Sequence, residues 1–152
     1  MIPTSISKRV VVDRLNWVEQ MIGAIRKLPL ADREKFFLDS RNIHTAESCL
    51  RRSLEALLDL GRHILAKGFG IGVTEYREVS LLLGERGVLS HDDADLLGIL
   101  SGYRNRLVHF YHEVDAEELY NICVSQLTDV EHIADELRKW MREHPQQIDE
   151  QL

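Results

Sequence analysis

The sequence holds only two cysteines and three prolines, has no long apolar run, and carries fewer basic than acidic residues. Each shortage narrows what the chain can be. Cys49 and Cys123 fall inside helical patterns rather than in a spaced framework, which reads as two small core residues in a reducing compartment and not as a disulfide. No stretch reaches the ~20 apolar residues that cross a bilayer, and Met1 to Lys8 lacks a basic segment leading into an apolar one. Neither membrane insertion nor secretion is indicated, and a cytoplasmic location is expected. A formal net charge of −6, from 19 Lys and Arg against 25 Asp and Glu, excludes a protein that coats nucleic acid by bulk electrostatics. Any RNA site here must be local and small. What is present is enough for one good core: 152 residues, 44% hydrophobic and 29% charged. The expectation is a single domain over residues 1–152, with a core over about 9–141 and a polar tail over 145–152.

Helical periodicity runs through the whole chain. Val10, Trp17, Val18, Met21, Ile22, Ile25 and Leu28 recur at three- and four-residue steps before Pro29 stops the pattern. Ala31 to Leu38 gives a helical turn or two. From Arg41 a long stripe through Ile43, Ala46, Leu50, Leu54, Leu57, Leu58, Ile64 and Leu65 predicts a central helix that Gly68, Gly70 and Gly72 terminate. Those glycines spell G-x-G-x-G, but no strand precedes them, so they do not make a nucleotide loop. Thr74 is placed to cap a third helix from Glu75 to Leu83, ended by the turn Gly84 to Gly87. Ser90 with Asp93, and Asp115 with Glu118, are capping boxes for a fourth helix and for a last one that runs to Met141. The predicted fold is an all-α, single-domain helical bundle of about five helices.

The residues that concentrate chemistry close the fourth helix. Arg104, Asn105, His109 and Tyr111 read R-N-x-x-x-H-x-Y. A permanent guanidinium charge, an imidazole that exchanges protons near neutral pH and a phenol within eight positions suit the handling of a phosphodiester. Residues five apart on a continuous helix are turned by about 140°, so a shared face for Arg104 and His109 requires the helix to end near Val108. His109 would then sit at a helix C-terminus, where the dipole favours its protonated form, with Tyr111 on an exposed connection beside it.

The motif resembles the HEPN superfamily of small helical ribonucleases with an R-x-x-x-x-H signature, and more closely its HepT-like branch. Tyr76-Arg77-Glu78, the segment Gly87 to Leu89, Leu107-Val108-His109 and Val114-Asp115 extend the likeness over roughly Arg9 to Met141. The resemblance implies a HEPN-like bundle that pairs as a two-fold homodimer, the toxin of a two-gene prokaryotic module. It implies RNA cleavage without metal, with Arg104 and His109 catalytic and Asn105 supporting. It implies a partner, a minimal nucleotidyltransferase antitoxin, that attaches AMP to Tyr111. No cofactor and no metal are expected.

Elementary chemistry agrees. Attack of an RNA 2′-hydroxyl on the neighbouring phosphorus needs a base, an acid for the leaving 5′-oxygen and a cation for the crowded charge. His109 supplies acid or base and Arg104 the charge, and a two-fold pair of motifs supplies a second imidazole. Asn105 either orients His109 or binds phosphate, and Arg106 either touches the RNA backbone or simply faces solvent. His109 and His112 are too few for a zinc site. His44, His63, His91, His132 and His144 are scattered singly and read as surface or structural residues. Arg51, Arg52, Arg62 and Lys67, interleaved with Glu55 and Asp59, read as a solvated helix face rather than an RNA groove. Trp17, Trp140 and Tyr120 read as core or dimer contacts. Two function classes stay open: the ribonuclease toxin, and a catalytically silent helical partner of a nucleotidyltransferase in which Arg104 and His109 hold AMP or structure.

Overall fold

The computed structural model describes residues 5–109 and 114–150, with the His109 side chain outside that set. Within it stand seven α-helices: α1 (Lys8–Arg26), α2 (Arg33–Leu38), α3 (Ser40–Phe69), α4 (Tyr76–Glu85), α5 (His91–His109), α6 (Ala116–Ser125) and α7 (Leu127–Glu143). Two short strands, β1 (Ile6–Ser7) and β2 (Ile148–Asp149), pair in parallel. The all-α prediction holds for the bulk of the chain, and the helix count rises from about five to seven because the turn or two at Ala31 to Leu38 forms α2 and the last predicted helix divides.

Local chemistry accounts for most of the boundaries. Ser7, Asp32, Asp39 and Asp115 each accept a backbone N–H at the start of α1, α2, α3 and α6. The Ser90 hydroxyl accepts from Asp93 N at 3.1 Å, as its capping box predicts. Thr74 does not cap α4: the N-cap is Glu75, and its side chain makes no capping bond. Gly70, at φ 69, ends α3 in the left-handed conformation, with Gly70 N–H bonded to Ala66 O and Ile71 N–H to Leu65 O. The division between α6 and α7 falls at Gln126, with φ −119 and ψ 0, where neither proline nor glycine announces it. Its amide Nε2 donates to the Tyr103 hydroxyl at 3.1 Å, which ties the break to α5. The break resets the helical phase, so Leu127, Val130, Ile133, Ala134, Leu137, Trp140 and Met141 all turn inward along α7.

α3 is the axis of the bundle and touches each of the other helices. Its Leu54, Leu57, Leu58, Leu60, Ile64 and Leu65 are fully buried. Burying one such side chain is worth about 1.5–3 kcal/mol, so this one helix anchors much of the core. α4 approaches α3 closely at Gly61, where a Cβ would stand 2.7 Å from Val79 Cγ1 and 2.9 Å from Leu83 Cδ1. That approach fixes the first residue of α4, Tyr76, beside α3. Cys123 is buried and Cys49 half-buried, and both are free thiols, in line with their reading as small packing residues. No helix among the described residues is long and apolar enough to cross a membrane.

The expected polar tail is a structural element instead. A turn of 3-10 helix (Pro145–Gln147) leads into β2, whose Ile148 pairs with Ile6 and packs against the core. β1 is held from below by His63 on α3, whose Nε2 accepts the Ser7 N–H at 3.0 Å. His63 is thus a structural histidine, as expected. Burial, with Lys67 and Arg14 adding positive charge nearby, lowers its proton affinity below the ordinary histidine value.

Because the unfolded chain takes up this proton near pH ~6.5 and the folded chain only at lower pH, stability falls as pH drops through that interval and then levels off. The melting temperature of the wild type is expected to fall more between neutral and mildly acidic pH than that of His63→Gln. Equal falls in the two proteins would remove His63 as the cause.

Candidate active site

Arg104, on the fourth-predicted helix α5, turns into the cleft between α3 and α4, and its side chain is 20% exposed. Its Nη2 meets Glu55 Oε2 on α3 at 2.9 Å, and its Nη1 donates to Asn105 Oδ1 at 3.2 Å. The guanidinium carbon lies 4.7 Å from the centre of the Tyr76 ring, a cation–π contact. Its Nε is buried and has no hydrogen-bond partner among the described residues.

α3 supplies the acids. Glu55 and Asp59 are four apart, hence on one face of the helix. Glu55 Oε1 also accepts from Arg51 Nη1 at 3.1 Å, and Arg51 Nε reaches Glu47 Oε1 at 3.1 Å. Asp59 Oδ1 accepts both the Tyr76 hydroxyl and Arg62 Nη2 at 2.6 Å. The Arg62 guanidinium carbon stands 5.0 Å from the same Tyr76 ring. Burial, reinforced by the Asp59 carboxylate, pushes the Tyr76 phenol up to about 12, so it stays protonated and keeps donating. Tyr76 is therefore a fixed floor against which two guanidiniums rest.

Arg104 lines two cavities. One, of about 510 Å³, is bounded by Arg62, Tyr76, Arg77 and Asn105 near the start of α4. The other, of about 680 Å³, is lined by His44, Glu47, Arg51, Glu55, Leu107 and Val114 among others. Arg106 turns elsewhere: it forms a two-point ion pair with Glu118 on α6, at 2.6 and 2.7 Å, and so fixes the start of α6.

The helix closes at the motif histidine, one residue past its predicted end. α5 continues through the backbone of His109, so in one chain Arg104 and His109 lie about 140° apart around the helix and about 7.5 Å apart along it. The predicted helix end near Val108, with His109 at the helix C-terminus, agrees with α5 closing at His109, and the direction of the His109 side chain lies outside the described residues. Tyr111, His112 and the rest of the connection at 110–113 lie outside the described residues.

Sequence reasoning missed Glu55, Asp59 and Tyr76. Their neighbours suggested a solvated face, whereas Glu55 and Asp59 are the acids that hold Arg104 and Tyr76. The available signal was the four-residue spacing of the two acids, since Tyr76 stood in the family likeness already. His132 is also not solitary. Its Nε2 lies 2.9 Å from Asp93 Oδ1, and Asp93, His132 and Glu136 are the one group of described residues spaced to hold a metal, with donor atoms within 4.8 Å of one another. This group joins α7 to the opposite end of α5, about 16 Å along the helix from Arg104.

A protein-family model described as "Ribonuclease HepT-like" matches residues 18–137. The chain belongs to the HepT-like family. Among its HepT-like relatives, the tRNA nuclease HepT of Aphanizomenon flos-aquae is 25% identical over 118 residues, covering 77% of this chain and 80% of the relative. The fold is shared with a tri-AMPylated Shewanella oneidensis HEPN toxin solved in complex with an MNT antitoxin, at TM-score 0.76 and 21% identity over 86% of this chain and 97% of that one. A toxin–antitoxin MntA–HpeT complex contains a chain that matches at TM-score 0.76 and 20% identity, over 87% of this chain and 99% of that one.

The Glu55–Arg104 pair is largely shielded from water, where a charge-assisted hydrogen bond contributes about 1.5–3 kcal/mol. A double-mutant cycle of Glu55→Ala and Arg104→Ala, followed by urea unfolding, is expected to return a coupling energy of about 1 kcal/mol or more. A coupling near zero would show that the two side chains do not hold each other.

Proposed function

We propose that this HepT-like chain is an endoribonuclease toxin that cuts RNA without a metal ion, using Arg104 and His109, and that a minimal nucleotidyltransferase antitoxin silences it by attaching AMP to Tyr111. The observation that carries this reading is the setting of Arg104: a guanidinium fixed by Glu55 and Tyr76, opening on two cavities, with a buried N–H still to be satisfied. Family membership, and the naming of the Aphanizomenon flos-aquae relative as a tRNA nuclease, support the substrate class.

In the proposed reaction the 2′-oxygen of one nucleotide forms a bond to its own 3′-phosphorus as the bond from phosphorus to the 5′-oxygen of the next nucleotide breaks. One imidazole takes the 2′-hydroxyl proton, and another delivers a proton to the leaving 5′-oxygen. The ends left are a 2′,3′-cyclic phosphate and a 5′-hydroxyl. Arg104 stabilises the charge that gathers on the phosphoryl oxygens. Asn105, whose Oδ1 receives an Arg104 N–H, helps to hold that guanidinium in place. Since one chain offers a single motif imidazole and the reaction uses two, a complete site is best assembled from two chains related by a two-fold axis. Leu81 and Ile99, 60% and 54% exposed, border a groove between α4 and α5 that offers such a homodimer an apolar contact.

The ion pair with Glu55 is the specific observation in favour of the second reading, a catalytically silent module in which Arg104 holds structure. One assay separates the two. Purified wild type is expected to cleave RNA equally with and without EDTA, and Arg104→Ala and His109→Ala are each expected to lose at least a hundredfold in rate while remaining helical by circular dichroism. Full cleavage by either variant would remove the catalytic assignment, and wild type with no activity on any RNA would favour the silent module.

Control through Tyr111 follows from charge. AMP on that phenol would place an anion and its bulk two residues beyond His109, where the substrate phosphate must sit. Coexpression with the cognate nucleotidyltransferase is expected to raise the intact mass by one or more AMP units on a peptide containing Tyr111, and Tyr111→Phe is expected to escape. AMP found on a different residue would overturn this account of control.

A further inference from the structure

The cavity of about 510 Å³ is built in a way that cleavage at Arg104 alone does not require. Three guanidiniums, those of Arg62, Arg77 and Arg104, line it together with the Asn105 amide. Two of the three are pre-set: Arg62 by Asp59 at 2.6 Å and Arg104 by Glu55 at 2.9 Å, both against the Tyr76 ring. Arg77 is exposed and has no ion-pair partner among the described residues. Since Asn105 Oδ1 is occupied by Arg104, its Nδ2 is the end left to donate.

We propose that this cavity is a phosphate subsite, which takes the phosphodiester next to the one being cut and ligates it through Arg62, Arg77 and Asn105. The proposal rests on the ribonuclease reading of Arg104. Planar guanidinium forks match phosphate oxygens at two points, and guanidiniums already held by carboxylates and an aromatic face lose little freedom on binding. Asp59 and Glu55 are turned to their own arginines. Glu75 is the one carboxylate that lines the cavity, and it is exposed. Arg104 borders this cavity as well as the one that Leu107 and Val108 enter on the way to His109. An RNA strand whose scissile phosphate rests on Arg104 therefore runs its neighbouring phosphate past Tyr76 toward Arg62 and Arg77. This arrangement also lets an acidic protein hold RNA locally, without a basic surface.

The test measures binding rather than cleavage. Full-length chain carrying His109→Ala, which keeps RNA intact, is titrated with fluorescently labelled oligouridylate and oligoadenylate across a range of salt. Each phosphate contact on a single strand contributes about 0.7 to the slope of log affinity against log salt. Arg77→Gln is expected to weaken both oligonucleotides alike and to flatten the slope by about that amount. Arg62→Gln should do the same. Arg86→Gln, just past the far end of α4 and about 14 Å from Arg77 along the helix, should leave the slope as it was. Arg77 is exposed, so its variant is expected to keep the parent melting curve even if Arg62→Gln loosens Asp59. Binding that survives both substitutions with an unchanged slope overturns the subsite and leaves the ribonuclease reading standing. An effect confined to one of the two oligonucleotides also overturns it, because the cavity would then be reading a base. If the parent chain binds neither oligonucleotide, the ribonuclease reading falls and the subsite with it.

Discussion

The fold depends on one helix being wrapped from nearly every side. α3 is 30 residues long, and its leucine and isoleucine side chains are buried against all the other helices, so each neighbour is placed by what it covers on α3. One seam of α3 is left polar: Glu47, Arg51, Glu55, Asp59 and Arg62 recur at three- and four-residue steps. Carboxylates on that seam need partners where they are half-shielded from water, and α4 and α5 supply them in Tyr76 and Arg104. The candidate site is where the apolar wrapping of α3 gives way to ionic pairing.

This placement reconciles an acidic chain with a phosphate-handling reading. Arg51, Arg62 and Arg104 are each set beside an acid, which cancels their charge at long range while keeping their donor edges oriented at short range. Attraction is then confined to a ligand that reaches the cavity. A chain with a net charge of −6 would repel RNA across most of its surface and accept it at one place.

Much of the fold was legible because its signals are local. The stripe of α3, the glycine stop at Gly70 and the boxes at Ser90 and Asp115 all follow from bonds within a few residues. What was missed depends on distant partners. The break at Gln126 is held by Tyr103, and the pairing of Ile148 with Ile6 joins opposite ends of the sequence. Thr74 has the right chemistry for a cap, but the close approach of α4 to Gly61 accompanies a start one residue later. The same contrast holds at the site. Arg104, Asn105, His109 and Tyr111 stand out because chemistry is dense within eight positions, whereas the acid that orients Arg104, Glu55, lies 49 residues away, on a helix face that reads as ordinary solvent exposure.

The parallel pairing of Ile6 and Ser7 with Ile148 and Asp149 has a mechanical meaning. Tension applied between the two ends loads this pair in shear, with the ladder bonds and the His63 bond to Ser7 sharing the force, instead of peeling one helix from the bundle. The first and last described segments are also neighbours in space, since Lys8 reaches Glu150 at 3.4 Å. A short peptide spliced from Glu150 to Ser5 would close these segments into a ring, and a new opening at Gly70 to Val73 would interrupt no helix.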